Sequence, residues 1–312
     1  MPLSSGLKKT VMKQTFYSNG KLLITGEYLV LDGAEALALP TKFGQDLIVE
    51  QAIGDTIQWK SVDKDGSIWF EDTIPFSTIA NNIKSENSVK NTLVQILHEA
   101  SILNPGFLTS NGWFVTTNLT FAKNWGLGTS STLINNIAQW LEIDAYTLLR
   151  NSFGGSGYDI ACAQSDVPIV YHLENGSPVV RKVNFNPAFV SNLYFVHLNK
   201  KQSSKLAIEA YYKRQYDISQ TIPAIDQITS NILNAVDMAS FARELDRHED
   251  VISTLLKIPT VKESLFPDFK GTIKSLGAWG GDFVFVVCEE NPTRYFGERG
   301  FTTVIPYSEM IL

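Results

Sequence analysis

Residues 121–136 read FAKNWGLGTSSTLINN, and the rest of the chain is read outward from this stretch. A glycine turn, Gly126-Leu127-Gly128, runs into three hydroxyl residues, Thr129, Ser130 and Ser131. An apolar stripe at helical spacing follows in Leu133, Ile134, Ile137, Ala138 and Leu141. Glycines let the backbone pass close to a ligand in conformations that other residues resist. A helix start adds unpaired N–H groups and the positive end of a dipole. Together they suit a phosphate. The same residues also suit a plain serine-capped helix after a tight turn, so the decision passes to other segments.

Composition narrows the classes. The 312 residues suffice for two domains, and 44% are hydrophobic, enough for a sizeable core. Net charge is −6, from 26 basic against 32 acidic residues, with no long basic run. That disfavours nucleic acid, an RNA-binding role included, and an anionic membrane surface as partners. A small anionic substrate stays open, because a few local cations suffice for it. Cys162 and Cys288 sit in apolar contexts and read as buried free thiols. No apolar run reaches the roughly 18 residues of a membrane helix. Lys8, Lys9 and Lys13 interrupt the N-terminal segment, so the expected location is cytoplasmic. Residues 1–14 read as an irregular lead-in, with Met12 as an alternative start.

Strands are expected at Leu22–Ile24 and Leu29–Leu31, then at Asp46–Ala52, Thr56–Ser61 and Ser67–Glu71. Val89, Leu93, Ile96, Leu97 and Ala100 mark one face of a helix. Gly112–Leu119 is a strand leading into the glycine turn, with helices at 131–142, near 144–151 and over Asp159–Ala163. Strands follow at Pro168–Leu173, Val179–Phe185 and Val190–Leu198. From Ser203 to about Leu256 the pattern is helical, with a break near Pro223, and Gly281–Cys288 is an apolar strand. Helices and antiparallel-like strands without a βα repeat indicate an α+β fold. The boundary falls near 175–190, giving an N-terminal unit of 1–180 and a C-terminal unit of 181–312.

Three further blocks bear on the glycine turn. Residues 18–33 read SNGKLLITGEYLVLDG, 155–161 read GSGYDIA, and 274–284 read KSLGAWGGDFV. With GLGTSS among them, the four blocks resemble in order and character the motifs of the GHMP kinases. That family includes galactokinase, homoserine kinase, mevalonate kinase and phosphomevalonate kinase. The likeness runs from about residue 17 to 285, and GYDIA is similar to a signature of one bacterial subgroup. It implies a two-domain α+β fold with the active site in the inter-domain cleft. It also implies ATP and magnesium as cofactors and a small-molecule acceptor, a phosphorylated or carboxylate alcohol. A homodimer is left open.

Carried over residue by residue, the resemblance assigns the nucleotide phosphates to Gly126, Leu127, Gly128, Thr129, Ser130 and Ser131. Ser130 matches the serine that meets magnesium, which accepts few protein ligands. Asp159 matches the catalytic aspartate, able to take or orient the acceptor's proton. Lys21 matches the cation that offsets charge on the transferred group. Glu27, Tyr28, Ser156, Gly157, Ser203, Ser204, Gly281 and Asp282 are the candidate acceptor-binding residues. Lys200, Lys201 and Lys205 flank the serine turn and suit an anionic acceptor. His248, on a helix with Arg243, Glu244 and Glu249, reads as part of an exposed face.

The details lean toward the phosphomevalonate kinase branch. Glu27 is followed by Tyr28 rather than the histidine of mevalonate kinases, and Gly281 by Asp282 rather than glycine. Leu148 stands where mevalonate kinases carry a glutamate ligand for magnesium. Two departures weaken the match. Ser18-Asn19 replaces the usual Ala-Pro of the first motif, and Trp279 interrupts the last glycine run, where an indole is expected to narrow the substrate pocket or stack on it. The expected activity is ATP-dependent phosphorylation of phosphomevalonate or mevalonate. The alternative keeps the fold as a nucleotide- or metabolite-binding regulator.

Overall fold

The structure, a computed structural model, describes residues 13–109, 111–201, 204–213 and 217–312. In chain order the first part runs β1 (Lys13–Leu23), β2 (Ala36–Ala52), β3 (Thr56–Val62), β4 (Ile68–Pro75), α1 (Phe76–Ala80), α2 (Ser88–Leu103) and β5 (Gly112–Leu119). Then come α3 (Thr129–Leu141), α4 (Ala145–Ser152), α5 (Tyr158–Ala163), β6 (Ile169–Glu174) and β7 (Ser177–Lys182). The rest is β8 (Leu193–His197), α6 (Ser204–Lys213), α7 (Thr221–Leu233), α8 (Met238–Leu256), α9 (Val261–Leu265), β9 (Thr272–Ser275), β10 (Phe283–Val287), α10 (Thr293–Gly297), β11 (Val304–Pro306) and α11 (Tyr307–Met310). The fold is mixed α+β, as composition and pattern indicate.

Strands β1 to β7 form one sheet in the order β4-β3-β5-β2-β6-β7, with β1 also paired to β2. Its pairs are antiparallel except β3 with β5, which run parallel. The other sheet is antiparallel, in the order β11-β8-β10-β9. The largest core cluster joins the two. It holds Leu22, Ile24 and Leu127 from the first part with Phe195, Phe241 and Phe285 from the second. Among the described residues no helix is long and apolar enough to cross a membrane.

A buried polar network fixes α3 on the first sheet. Ser18 Oγ donates to Asn136 Oδ1 at 2.7 Å, Asn135 Nδ2 donates to Ser18 Oγ at 2.8 Å, and Asn136 Nδ2 donates to the Gln45 carbonyl at 2.8 Å. Buried polar groups that satisfy one another hold a single geometry. The helix after the glycine turn is therefore anchored before any ligand arrives.

Several elements differ from the sequence expectation. Leu29–Asp32 is a 3₁₀ turn and not a strand, because Tyr28 reverses the chain ahead of it. The strand expected at Asp46–Ala52 begins at Ala36, and the first strand begins at Lys13, inside the stretch read as lead-in; residues 1–12 lie outside the described ones. The start of the strand expected at Val190 is a 3₁₀ turn, Val190–Asn192. The break expected near Pro223 is present: α6 ends at Lys213 and α7 begins at Thr221, with Pro223 in its first turn, where a missing N–H costs little.

Candidate active site

The glycine turn is held on all sides. The Lys21 N–H donates to the Leu127 carbonyl at 3.0 Å, and the Lys21 ammonium lies 3.4 Å from the Gly126 carbonyl. Leu127 is fully buried. Gly126 and Gly128 have φ of 70° and 95°, in the left-handed region that glycine tolerates. A Cβ on Gly126 would collide with the Asp282 carboxylate, and one on Gly128 would meet Ser131 Oγ at 2.8 Å. Gly128 is the N-cap of α3, and no side chain caps that helix. The serine-capped alternative is thus not what forms. Ser131 Oγ instead donates to the Gly128 carbonyl at 2.9 Å, while Thr129 and Ser130 remain half-buried at the helix start. The turn keeps the open N–H groups that an anion needs. Gly128→Val is expected to abolish ATP binding and, through the left-handed φ and the contact with Ser131, to cost some stability, so folding of the variant is confirmed first by circular dichroism. Calorimetric titration with ATP checks this, and wild-type affinity in the variant would show the nucleotide is elsewhere.

Lys21 and Asp159 come together. Their ammonium and carboxylate oxygen are 3.4 Å apart, although 138 positions separate them along the chain (159 − 21). Gly157 is the N-cap of α5 with φ of 94°, which places Asp159 in the first turn. The Tyr158 ring lies 5.5 Å from the Lys21 ammonium. Burial by itself works against charge on Lys21, but Tyr158 and Asp159 more than offset it and hold its pKa above the usual lysine range. Asp159 also lines a cavity of about 80 Å³, together with Glu27, Tyr28, Ser156, Ile208 and Ala278. Four of the sequence candidates therefore share one pocket.

The others fall elsewhere. Asp282 sits against the glycine turn, its N–H donating to the Lys200 carbonyl at 2.6 Å. Lys201 reaches toward the Lys123 carbonyl at 3.5 Å. Lys200 and Lys201 thus attach beside the glycine turn. Ser204 opens α6, whose Ala207 and Ile208 line the cavity, and Ser203 lies outside the described residues. Leu148 is buried in the core, where it can hold no metal. Trp279 is buried as well. Its indole belongs to the largest core cluster, and its backbone N–H donates to the Tyr28 hydroxyl at 3.3 Å.

The Gly26-Glu27-Tyr28 turn is conformationally strained. Tyr28 has φ of 63° and ψ of −51°, with the Leu29 N–H bonded to the Glu27 carbonyl at 2.8 Å. This is a γ-turn of the uncommon, strained form. Such backbone survives where surroundings over-determine it. Tyr28 stacks on Tyr211 of α6 at 5.5 Å, and Tyr211 donates to Asp32 at 2.7 Å. Beneath the turn, Glu27 contacts Lys274 at 2.5 Å and His248 at 3.2 Å. Lys274 and His248 are fully buried. The reading of His248 as an exposed residue is corrected: α8 turns it inward, under the first motif.

No family model matches the sequence, and no curated protein matches it. The structure, however, superposes on solved kinases along nearly the whole chain. The mevalonate kinase of Methanococcus jannaschii is 16% identical, covers 95% of this chain and 97% of its own, and gives a TM-score of 0.67. The phosphomevalonate kinase of Streptococcus pneumoniae, solved with phosphomevalonate and AMPPNP, is 13% identical, with 96% and 98% covered and a TM-score of 0.65. The galactokinase of Lactococcus lactis, solved with galactose, is 10% identical, with 94% of each chain covered and a TM-score of 0.68. The fold is that of the GHMP kinases.

Within this GHMP kinase fold, sequence reasoning missed the support of the first motif. Lys274 stands three residues before Gly277, and His248 and Glu249 stand on a helix of mixed polarity. Nothing local marks them as partners of Glu27. The strand that carries Lys274 reads TIKS, with Ile273 its one apolar residue, so its sequence does not show that the lysine is buried and needs a counter-charge.

Proposed function

We propose that the chain is a kinase that transfers the γ-phosphoryl group of ATP to a small acceptor, with phosphomevalonate and mevalonate the leading candidates. One observation carries the reading: the Lys21–Asp159 pair bridges the glycine turn and the acceptor cavity. Phosphoryl transfer needs a phosphate cradle, a cation for developing charge and an oriented acceptor. The glycine turn and the start of α3 supply the cradle. Lys21, kept charged by its neighbours, neutralises charge on the moving group. Asp159 accepts the proton of a hydroxyl acceptor, or orients a phosphate acceptor that is already ionised.

Among the described residues no group of three acidic, histidine or cysteine side chains is placed to hold a metal. The Ser130 hydroxyl fits magnesium, an ion that keeps most of its ligands as water and phosphate oxygens. Bound there, magnesium would supply further neutralisation of the phosphates. The preference for phosphomevalonate rests on Tyr28, Asp282 and Leu148 as the resemblance reads them.

The test is ADP release from Mg-ATP with mevalonate, phosphomevalonate, homoserine and galactose. Phosphomevalonate is expected to turn over fastest. Faster turnover of mevalonate would reverse the acceptor assignment, and no ADP above background with any of the four would count against the kinase reading.

A further inference from the structure

Four titratable side chains meet under the acceptor cavity, and their contacts constrain where one proton must lie. The Gly26 N–H donates to His248 Nε2 at 3.0 Å. Glu27 Oε2 lies 3.2 Å from the same nitrogen and has no hydrogen-bond partner among the described residues. An amide proton is permanent, so Nε2 presents its lone pair and His248 is neutral. A carboxylate oxygen facing that nitrogen is repelled unless a proton lies between them, and such a proton shares the one Nε2 lone pair with the Gly26 N–H in a three-centre bond. On the other side, Lys274 Nζ contacts Glu27 Oε1 at 2.5 Å and Glu249 Oε1 at 3.5 Å, and donates to the Ser275 carbonyl at 2.5 Å. Ser275 Oγ donates to the second Glu249 oxygen at 2.9 Å. One ammonium thus faces two buried carboxylates. A site of this depth is neutral only if one of the two carries a proton. The charged and titratable groups facing Glu27 are His248 and Glu249 from α8 and Lys274 from β9.

We propose that Glu27 is a neutral carboxylic acid in the folded protein, its proton held toward His248 Nε2 and its other oxygen fixed by Lys274. Lys274 remains paired with an ionised Glu249. His248, Lys274 and Glu249 are positioning residues for the Glu27 floor of the cavity. The cavity then presents one carboxylate, Asp159, and an anionic acceptor meets no second negative charge.

Burial raises the pKa of Glu27 and holds His248 well below the usual histidine range, in line with this arrangement. It raises Glu249 as well, and there the Lys274 ammonium and the Ser275 hydrogen bond work against it. An acid raised in the fold contributes stability that is fully present below its unfolded value, near 4.5 for a glutamate, and is lost as pH rises toward its folded value, so a Glu27 that stays protonated makes stability fall across neutral pH.

The deciding experiment is nitrogen NMR of the full chain with labelled histidine, from about pH 5 to about pH 9. The His248 signal is assigned by its loss in His248→Asn. His248 is expected to stay neutral throughout, protonated on Nδ1 with Nε2 accepting a hydrogen bond. Glu27→Gln puts an amide N–H where the acid O–H was. It should leave that tautomer unchanged and make the fall of unfolding free energy between about pH 6 and about pH 8 less steep. Protonation of His248 on Nε2 in the wild-type chain at neutral pH, as cation or as the other tautomer, overturns the proposal. So does a Glu27→Gln variant with the wild-type pH slope. Neither measurement needs ATP or an acceptor, so a failed kinase assay leaves the result readable.

Discussion

Asp159→Asn is expected to lower turnover by about 10²–10⁴-fold, the range for loss of a positioned proton acceptor, with ATP affinity little changed. The asparagine keeps the shape of the side chain and removes its charge. Binding should persist because the contacts of the glycine turn run through Lys21, Leu127 and α3, not through Asp159. The size of the loss also reports on the acceptor. A hydroxyl must give up its proton, so the loss should lie at the upper end of that range. A phosphate oxygen is already ionised, and Asp159 then only orients it. Steady-state kinetics on the acceptor found by ADP release makes the measurement. Retention of more than about half of wild-type turnover would remove Asp159 from the chemical step.

Lys274→Met is expected to destabilise the fold by about 3–5 kcal/mol, the usual result of removing one partner from a buried ion pair. Lys274 is fully buried between Glu27 and Glu249, and methionine fills similar volume without charge. Glu249 would then be a buried carboxylate without a counter-ion and would have to take up a proton. The loss should therefore be greater above about pH 7 than at about pH 5. Urea unfolding at the two pH values measures both effects. A loss under about 1 kcal/mol at both, as for an exposed pair, would mean that Lys274 does not hold this cluster together.

Different parts of the site were legible to different degrees. The glycine turn was readable because its chemistry is local. Gly126 and Gly128 adopt positive φ within five residues of Thr129, Ser130 and Ser131, and a helix stripe follows directly. Lys21 and Asp159 were readable only through resemblance, since neither carries a local mark that separates it from a strand-end lysine or a helix-start aspartate. The turn at Tyr28 was not legible. Leu29–Leu31 is apolar enough for a strand, but a γ-turn depends on what holds it, here Tyr211, Trp279 and Lys274 from distant segments. His248 was misread in exposure. Its neighbours Arg247 and Asp250 are polar, and the inward face of α8 is set by the sheet it packs on.

By itself the sequence determined the α+β class, the position of the glycine turn ahead of α3 and most element centres. These follow from hydrophobic period, glycine torsions and capping residues, which act within a few positions. Only the tertiary structure decided that Lys21 meets Asp159, that Lys200 and Lys201 attach beside Asp282, and that Glu27 rests on Lys274 and His248. Those pairings join residues far apart in the chain. They are set by how α8 and β9 pack under the first motif, and burial there gives each charge its meaning, because a lysine or glutamate removed from water must find its partner within a few ångströms.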